Sequence, residues 1–379
     1  MKTAAIVCEY NPFHNGHKFH IEETKQKLGA DAVVLVMSGN FVQRGEVALF
    51  DKKLRAEAAI ACGADLCIEL PAVYSLASAE FFADGAIKIL SSLGIVDFLS
   101  FGAECEDLET LKNIAQLLAD EPDDFSAAIK ENLAKGVSFP LARAKAVSKI
   151  LGSSAAEMIS TPNNILAIEY IKAIISSKSR ITPFAVLRKG ADHDSTLPQE
   201  NIASATFVRD LILNGQDFSQ FVPDDAYKIF KYAKIHSVKA LEKAILCELA
   251  KTPAENLAKI ADVGEGIENR IKAKTETASG LDELTDAVKS KRYTHSRIRR
   301  ILLSALLGIT DADRSMPPAY IRILAQNEKG QKLISAAKKK STLPLVRNTS
   351  QINKLGDPAL KAVWERERMF DRIYDLSSF

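Results

Sequence analysis

The first half of this 379-residue chain repeats one pattern, a short and continuously apolar segment followed by helical spacing of apolar residues. The apolar, β-rich segments are Ala4–Cys8, Ala32–Met37, Asp65–Leu70, Val96–Phe101 and Thr182–Leu187. The helical patterns between most of them are Phe19–Leu28, Lys52–Cys62, Ser78–Leu93 and Leu108–Leu118. Strands that lack polar alternation are buried on both faces. The pattern therefore predicts an α/β fold with a Rossmann-like parallel sheet covered by helices.

The second half of the chain is different, because no further strand is predicted after Phe221. The predicted helices there are Asp225–Tyr232, Val238–Leu249, Gly266–Lys274, Leu281–Ser290 and His295–Leu307. Turn-forming residues at 214–217 favour a domain boundary near residue 215. We expect an α/β domain over 1–215, with a helical insertion at about 120–160, and an α-helical domain over 216–379.

Composition and charge narrow the class of protein. No apolar run reaches the ~20 residues of a membrane helix, and the N-terminus lacks the features of a signal peptide. We therefore expect a cytoplasmic protein without a membrane partner. The five cysteines form neither a CxxC pair nor a metal-binding pattern. Residues 287–379 carry a net charge of +11 and the rest of the chain carries −9, which favours a polyanionic partner for the basic third.

The richest motif follows the first predicted strand, where three of the six histidines fall within seven residues: His14, His17 and His20. Gly16 allows close approach of a ligand to the backbone, and the amides at a helix start bind anions. Two imidazoles can donate hydrogen bonds as charge develops on a phosphate. With Asn11, this segment predicts an ATP site; the alternative is a turn that carries surface histidines.

A second candidate anion site is the segment Ser204–Arg209. Ser204 and Thr206 open a predicted helix, and Arg209 is a candidate phosphate clamp. Taken alone, the segment equally describes a capped helix with an exposed arginine.

Other polar residues lie beside predicted strand ends. Asn163 and Asn164 either cap a helix or bind the nucleotide, and Arg188 is either a solvated charge or a nucleotide ligand. The loop Ser38–Glu46 follows a buried strand, as substrate loops often do. The helix that begins with Asp51, Lys52 and Arg55 is expected to carry mostly solvated charges.

The basic third contains a segment that interleaves cations with an aromatic residue. Its candidate RNA-binding residues are Lys291, Arg292, Tyr293, Arg297, Arg299 and Arg300. Phosphate contacts combined with base stacking need such a mixture. The alternative is a solvated helix face.

Several segments together resemble one family. The pair His14-x-Gly-His17 and Ser204-x-Thr206-x-x-Arg209 resembles the HxGH nucleotidyltransferase superfamily, which includes class I aminoacyl-tRNA synthetases. More specific segments look like the tRNA(Met) cytidine acetate ligase family, and the resemblance spans nearly the whole chain. These segments are 9–17, 37–45, 63–71, 101–104, 162–166 and 291–294.

The resemblance implies a ligase that forms acetyl-adenylate from acetate and ATP, with magnesium, and acetylates the wobble cytidine of elongator tRNA(Met). It implies that residues 7–20, with Val7, His14, His17 and His20 among them, bind ATP together with Gly102, an asparagine of the 163/164 pair, and Arg188. His14, His17 and Arg209 are then the catalytic candidates. We name no metal-ligand residues from the sequence, and no obligate protein partner is evident.

Two other functions stay open from the sequence alone. One is a small-molecule adenylyltransferase of the same superfamily, against which the basic third argues. The other is a non-catalytic RNA-binding protein, against which the complete first motif argues.

Overall fold

The computed structural model describes residues 1–105, 107–187 and 201–378. Its strands are β1 Thr3–Cys8, β2 Ala32–Ser38, β3 Phe41–Val42, β4 Glu46–Val47, β5 Leu66–Leu70, β6 Phe98–Ala103, β7 Thr182–Leu187, β8 Ile321–Gln326 and β9 Leu345–Val346. All five predicted strands are present, with ends shifted by at most two residues.

The helices fall into two groups along the chain. Up to residue 213 they are α1 Asn15–Leu28, α2 Lys52–Ala61, α3 Ala72–Ser75, α4 Ala79–Leu93, α5 Leu108–Asp120, α6 Asp123–Ala134, α7 Phe139–Leu151, α8 Ser153–Met158, α9 Pro162–Ser176 and α10 Ala205–Leu213. After it they are α11 Asp224–Phe230, α12 Glu242–Lys251, α13 Ala254–Leu257, α14 Ile267–Thr275, α15 Leu281–Val288, α16 His295–Leu307, α17 Asp311–Ser315, α18 Glu328–Ala337, α19 Thr349–Leu355 and α20 Pro358–Asp375. Two short 3-10 helices cover Ser219–Phe221 and Val238–Leu241.

Seven strands form one sheet in the order β7-β6-β1-β2-β5-β8-β9. Neighbours from β7 to β5 are parallel, whereas β8 is antiparallel to β5. The chain runs outward from β1 through β2 to β5 and then returns to place β6 on the other side of β1. This reversal makes the carboxyl ends of β1 and β6 a topological switch point, where such sheets bind ligands.

Both faces of the sheet are buried, which explains why the strands read as unbroken apolar runs. Successive residues of a strand point to opposite faces. Ala5 and Val34 belong to a core with α4, α5 and α9, while Ile6 and Leu35 belong to a core with α1, α2 and α11. A third core joins the hairpin β3–β4 to the helices of residues 241–309.

The expectation that strands end after Phe221 is wrong. Residues 321–326 form β8, which extends the main sheet at β5, and β9 pairs with β8. The prediction missed β8 because Arg322 interrupts its apolar pattern. The Arg322 guanidinium lies 3.1 Å from Glu69 and 3.3 Å from Asp371, so its charge is neutralised by residues far away in the sequence.

The expectation of mostly solvated charges at the start of α2 is also wrong. Lys52 and Arg55 are 2% and 0% exposed. Lys52 Nζ contacts Glu69 at 2.5 Å and Asp371 at 2.6 Å. Arg55 donates hydrogen bonds to the backbone oxygens of Glu9, Ser38, Gly39 and Phe50. A buried charge needs such partners, and here they hold the loops at the ends of β1 and β2 together.

No helix in the described part of the chain is long and apolar enough to cross a membrane.

Candidate active site

A cavity of about 270 Å³ opens at the switch point between β1 and β6. It brings together eleven of the residues predicted from the sequence: Val7, Asn11, His14, Gly16, His17, His20, Gly102, Asn163, Ser204, Thr206 and Arg209. Residues from the two separate motifs therefore share one cavity, which places the Ser204–Arg209 segment opposite the histidines. Arg188 lies outside the described residues.

His14 and His17 are held by the backbone at the start of α1. His14 is the N-cap, and its Nδ1 accepts a hydrogen bond from the Gly16 amide at 3.1 Å. The His14 amide in turn donates to His17 Nδ1 at 3.3 Å, and the two rings stack with centroids 3.6 Å apart. Because both Nδ1 atoms accept, a neutral ring carries its hydrogen on Nε2. Each imidazole is thereby fixed as an Nε2–H donor in the wall of the cavity.

Gly16 lies close against the His14 ring. A Cβ at this position would lie 3.0 Å from His14 Cε1, closer than most real contacts. A substitution would therefore require the His14 ring to shift by a few tenths of an ångström. His20, one turn further on, lies with Nε2 3.0 Å from Ser100 Oγ of β6, which turns it toward the same strand as Gly102.

The second motif is joined to the first by Arg209. Its guanidinium donates to the Asn11 backbone oxygen at 2.8 Å and to Thr206 Oγ1 at 3.0 Å. Ser204 caps α10 by accepting from the Phe207 amide at 3.2 Å. Ser204 therefore caps α10, as the capped-helix alternative predicts. Arg209, however, lies in the cavity wall and not on an open surface.

The two asparagines at the start of α9 differ in position. The N-cap of α9 is Thr161, so neither asparagine caps this helix, and the capping interpretation is wrong. Asn163 lines the cavity and its Nδ2 donates to Glu104 at 2.5 Å. Asn164 is buried outside the cavity wall, and its Oδ1 accepts from the Glu104 amide at 3.0 Å. Both therefore contact the loop after β6.

The cavity also contains residues that were predicted only as members of a longer segment and given no role of their own. Glu9 accepts a hydrogen bond from the Gln43 amide at 2.7 Å. Burial raises the pKa of the Glu9 carboxyl above its ordinary value, although that hydrogen bond and the positive charges of Arg55, Arg209 and Arg44 oppose the shift. Gln43 and Arg44 could be found from the sequence as members of the loop Ser38–Glu46, which follows a buried strand as substrate loops often do.

Tyr10 adds a backbone feature to the same wall. Its φ of 46° lies in the left-handed region, which is uncommon for a residue other than glycine. The ring contacts His17 and Phe13, with centroids 4.5 and 4.8 Å away. Strained positions of this kind are concentrated at functional sites.

The candidate RNA-binding residues divide into exposed and internally bonded groups. Lys291 and Arg292 are exposed, and Arg292 pairs with the exposed Glu265 at 3.0 Å. Tyr293 is buried, donates to the Gly264 oxygen and has Arg297 over its ring at 4.1 Å. The structure therefore does not present the Tyr293 ring for base stacking.

The remaining two cations hold α16 against the cavity wall. Arg299 pairs with Glu46 at 3.3 Å, while Arg300 pairs with Asp262 at 2.9 Å and donates to the Gln43 oxygen at 3.3 Å. A Cβ at Gly45 would lie 2.5 Å from the Arg299 Cβ. The hairpin β3–β4 is thus held between Glu9, which follows β1, and α16.

A second cavity, also of about 270 Å³, adjoins the first. Thr206 and Arg209 line both cavities, and Glu46, Arg299 and Leu302 lie in the wall of the second. In the described part of the chain, no three His, Cys, Asp or Glu side chains are grouped so as to hold a metal ion.

Known proteins share this arrangement. The family model for HIGH Nucleotidyl Transferase matches residues 1–378. The tRNA(Met) cytidine acetate ligase of Acetivibrio thermocellus is 41% identical over 99% of this chain and 94% of that protein. The one from Caldanaerobacter subterraneus is 42% identical over 98% of this chain and 93% of that protein.

Two crystal structures of Thermotoga maritima TmcAL are similar over their length. The apo form superposes with a TM-score of 0.92 at 32% identity, covering 97% of this chain and 92% of that one. The form bound with α-thio ATP superposes with a TM-score of 0.89 at 31% identity, covering 98% and 92%. The chain therefore belongs to the HIGH nucleotidyl transferases and, within them, to the tRNA(Met) cytidine acetate ligase family.

Proposed function

We propose that this protein is a ligase that uses ATP to acetylate the wobble cytidine of elongator tRNA(Met), giving 4-acetylcytidine. The observation that carries the proposal is the convergence of His14, His17 and Arg209 on one cavity at the switch point of the sheet. Full-length similarity to ligases of this name supports it.

ATP fits the cavity by the chemistry of its walls. The N-terminus of α1 and two imidazole donors suit phosphate oxygens, and Arg209 adds a fixed positive charge. Val7, Gly102 and Asn163 offer backbone and amide groups on the β6 side for the nucleoside. Magnesium, when bound, would neutralise charge on the triphosphate. Because the described residues form no three-ligand cluster, we expect the ion to arrive on the nucleotide.

In the first step, a carboxylate oxygen of acetate attacks the α-phosphorus, and the bond to the β-phosphate breaks to release pyrophosphate. No protein nucleophile is needed. The contribution of the chain is alignment and stabilisation of the charge that develops on phosphate. His14 and His17 suit that task because their Nε2–H groups are oriented before the substrate arrives.

In the second step, the exocyclic amine of cytidine attacks the acetyl carbonyl carbon, the bond to AMP breaks, and the amine loses a proton. The second cavity offers a place for this base close to the first, since Thr206 and Arg209 line both cavities. A target base taken out of its stack would reach the mixed anhydride from the side of α16. The positive charge of residues 287–379 suits a tRNA partner. We expect the reaction to take place in the cytoplasm and to need no obligate protein partner.

The test supplies labelled acetate, ATP and magnesium to the purified protein, with and without bulk tRNA. We expect label in tRNA as acetylcytidine and release of pyrophosphate. Acetate-dependent pyrophosphate release without labelled RNA would contradict the acceptor. Absence of any acetate-dependent turnover would contradict the ligase and favour a metabolite adenylyltransferase or an RNA-binding protein.

A further inference from the structure

The second step of the proposed reaction releases a proton that another group must accept. The cytidine amine forms a bond to the acetyl carbonyl carbon, the bond from that carbon to AMP breaks, and one hydrogen of the amine leaves as a proton. A side chain that accepts such a proton in the transition state is a general base. The described wall of the cavity at the switch point contains one carboxylate, that of Glu9.

The other titratable side chains of this wall fit the task less well. Burial raises the pKa of a thiol and two phenols, which therefore keep their protons near neutral pH: Cys8, Tyr10 and Tyr170. His14 and His17 already accept hydrogen bonds at Nδ1 and carry hydrogen on Nε2. His20 is bonded to Ser100 on the side of β6. Glu9 is thus the group in this wall whose chemistry suits a proton acceptor.

The second cavity has carboxylates of its own, but they lie elsewhere. Glu46 and Glu242 are bonded within the protein, and Asp210 and Asp282 are exposed to solvent. All four line the second cavity, and none lines the cavity that contains the histidines. The mixed anhydride forms in the cavity of the histidines, so the carboxylate that shares a wall with it is Glu9.

One oxygen of the Glu9 carboxyl is bound and the other is available. Oε1 accepts a hydrogen bond from the Gln43 amide at 2.7 Å, which holds the carboxyl against the hairpin β3–β4. No described residue donates a hydrogen bond to Oε2, and Glu9 is partly exposed where it lines the cavity. A carboxylate held by one oxygen can accept a proton on the other without leaving its place.

Glu9 lies on the side of the cavity that faces the second cavity. It follows β1, and its bond to Gln43 joins it to the hairpin, whose residues 45–47 line the second cavity. Arg209 lines both cavities, and its positive charge acts on the Glu9 carboxyl. A base that enters through the second cavity would therefore bring its amine toward Glu9.

The charges around Glu9 suit a base. Burial raises the pKa of its carboxyl, and the hydrogen bond from the Gln43 amide opposes the shift. Three positive charges also oppose it: Arg55 on α2, Arg209 on α10 and Arg44 in the hairpin. The nearby Cys8 thiol and Tyr170 phenol are neutral, because burial raises their pKa. A carboxylate whose pKa is raised binds a proton more strongly than an ordinary one, which favours general base catalysis.

We propose that Glu9 is the general base of the acetyl transfer step and that its Oε2 takes the proton from the cytidine amine as the amine attacks the acetyl carbon. The electron pair of the broken bond leaves with the phosphate oxygen of AMP, and Glu9 then passes its proton to water. This inference rests on the proposed function. It adds a catalytic residue to the second step, for which the chain otherwise supplies no proton acceptor in this wall.

The experiment measures the two steps separately in the full chain. Acetate-dependent exchange of pyrophosphate into ATP, without tRNA, reports the first step. The enzyme loaded with labelled acetyl-adenylate is then mixed with an elongator tRNA(Met) transcript, and the rate of labelling in a single turnover reports the second.

Glu9→Gln keeps an oxygen for the Gln43 amide but lacks a basic carboxylate. It should lower the ratio of transfer rate to exchange rate at least about a hundredfold, which is the usual contribution of a general base. Glu9→Asp keeps a carboxylate and should transfer acetyl faster than Glu9→Gln. A structural role alone would lower both steps together.

Glu23→Gln is the matched control, because it makes the same change at a partly buried carboxyl on α1, outside both cavity walls. Its ratio of transfer to exchange should stay at the wild-type value. Unchanged transfer in Glu9→Gln, or an equal loss of both steps, would overturn the proposal. So would transfer by Glu9→Asp that is no faster than by Glu9→Gln, or an equal fall of the ratio in Glu23→Gln. A wild-type protein that exchanges no pyrophosphate with acetate would instead refute the proposed function.

Discussion

At the scale of single residues, His14 and His17 have a structural role at the start of α1, and we propose that they also have a chemical one. His14 closes the helix by accepting from the Gly16 amide, and His17 accepts from the His14 amide. These bonds hold the helix start and leave Nε2–H as the donor of each ring, which we propose meets phosphate. Substitutions can separate the two roles, because asparagine caps helices well but lacks an imidazole.

Alanine at both His14 and His17 should abolish pyrophosphate exchange and lower stability by about 1–2 kcal/mol through loss of the cap. His14→Asn should keep most of the stability and still lower the exchange rate at least about a hundredfold. Exchange assays and thermal unfolding measure the two effects, and tRNA affinity should be nearly unchanged in both variants. Wild-type exchange by His14→Asn would refute the catalytic assignment.

Residues whose contacts lie within a few positions of the chain could be predicted from the sequence. Residues that contact partners far away in the sequence could not. His14, Gly16 and Ser204 were recognisable because each motif lies within a few residues. Arg55 was read as solvated because nothing nearby in sequence reveals that it bonds Glu9 and Gly39 across two loops. Gln43 was predicted only as part of a loop, because its backbone bonds Glu9 and Arg300, which lie far away in the sequence.

At the scale of elements, α20 brings a carboxyl into a charged cluster beside β5 and β8. Glu367 is 6% exposed, and burial together with the nearby Glu69 raises its pKa to about 7, although Lys52 and Arg322 oppose the shift. The folded state therefore holds a proton that the unfolded state, with its ordinary pKa near 4.5, has released. Between those values, stability must fall as the pH rises.

Glu367→Gln should accordingly stabilise the protein more at pH 8 than at pH 5, by a difference on the order of 2 kcal/mol. Urea unfolding at the two pH values measures it. Glu365→Gln on the same helix is the control, because the Glu365 side chain is 44% exposed and a surface charge of this kind changes stability little. An equal effect of Glu367→Gln at both pH values would contradict the pKa assignment.

The basic segment before and within α16 gives a second test at this scale. Neutralising the exposed Lys291 and Arg292 should weaken tRNA binding and lower the slope of log affinity against log salt by about one per lost phosphate contact. Arg300→Gln should act mainly on the hairpin, since Arg300 is bonded to Asp262 and Gln43. Salt titrations of tRNA binding distinguish the effect of the Lys291 and Arg292 pair from that of Arg300→Gln. An unchanged slope for the Lys291 and Arg292 pair would refute their RNA role.

At the scale of the whole molecule, the second predicted domain contributes a strand to the sheet of the first. β8 covers the edge of β5, and Asn327 at the start of α18 bonds Asp65 at 2.9 Å. Tyr374 of α20 donates to the Ala48 oxygen at 3.0 Å. The α/β class could be predicted because each of the first five strands carries its own apolar run. The return of the chain to the sheet depends instead on pairing between residues far apart in the sequence, such as Leu66 with Gln326.

A fragment of residues 1–215 should therefore be less soluble than the full chain, because the apolar edge of β5 is left unpaired. Light scattering and urea unfolding of the fragment and the full chain measure this. A monodisperse fragment with a cooperative transition would show that the sheet does not need β8, and would favour a domain boundary near residue 215.

We propose that the cavity makes acetyl-adenylate for one acceptor base. The most direct measurement compares labelled acetate incorporation into an elongator tRNA(Met) transcript with incorporation into the same transcript carrying uridine at the wobble position. We predict ATP-dependent labelling of the first and none of the second, because uridine has no exocyclic amine. Equal labelling of both transcripts, or labelling of neither, would contradict the account.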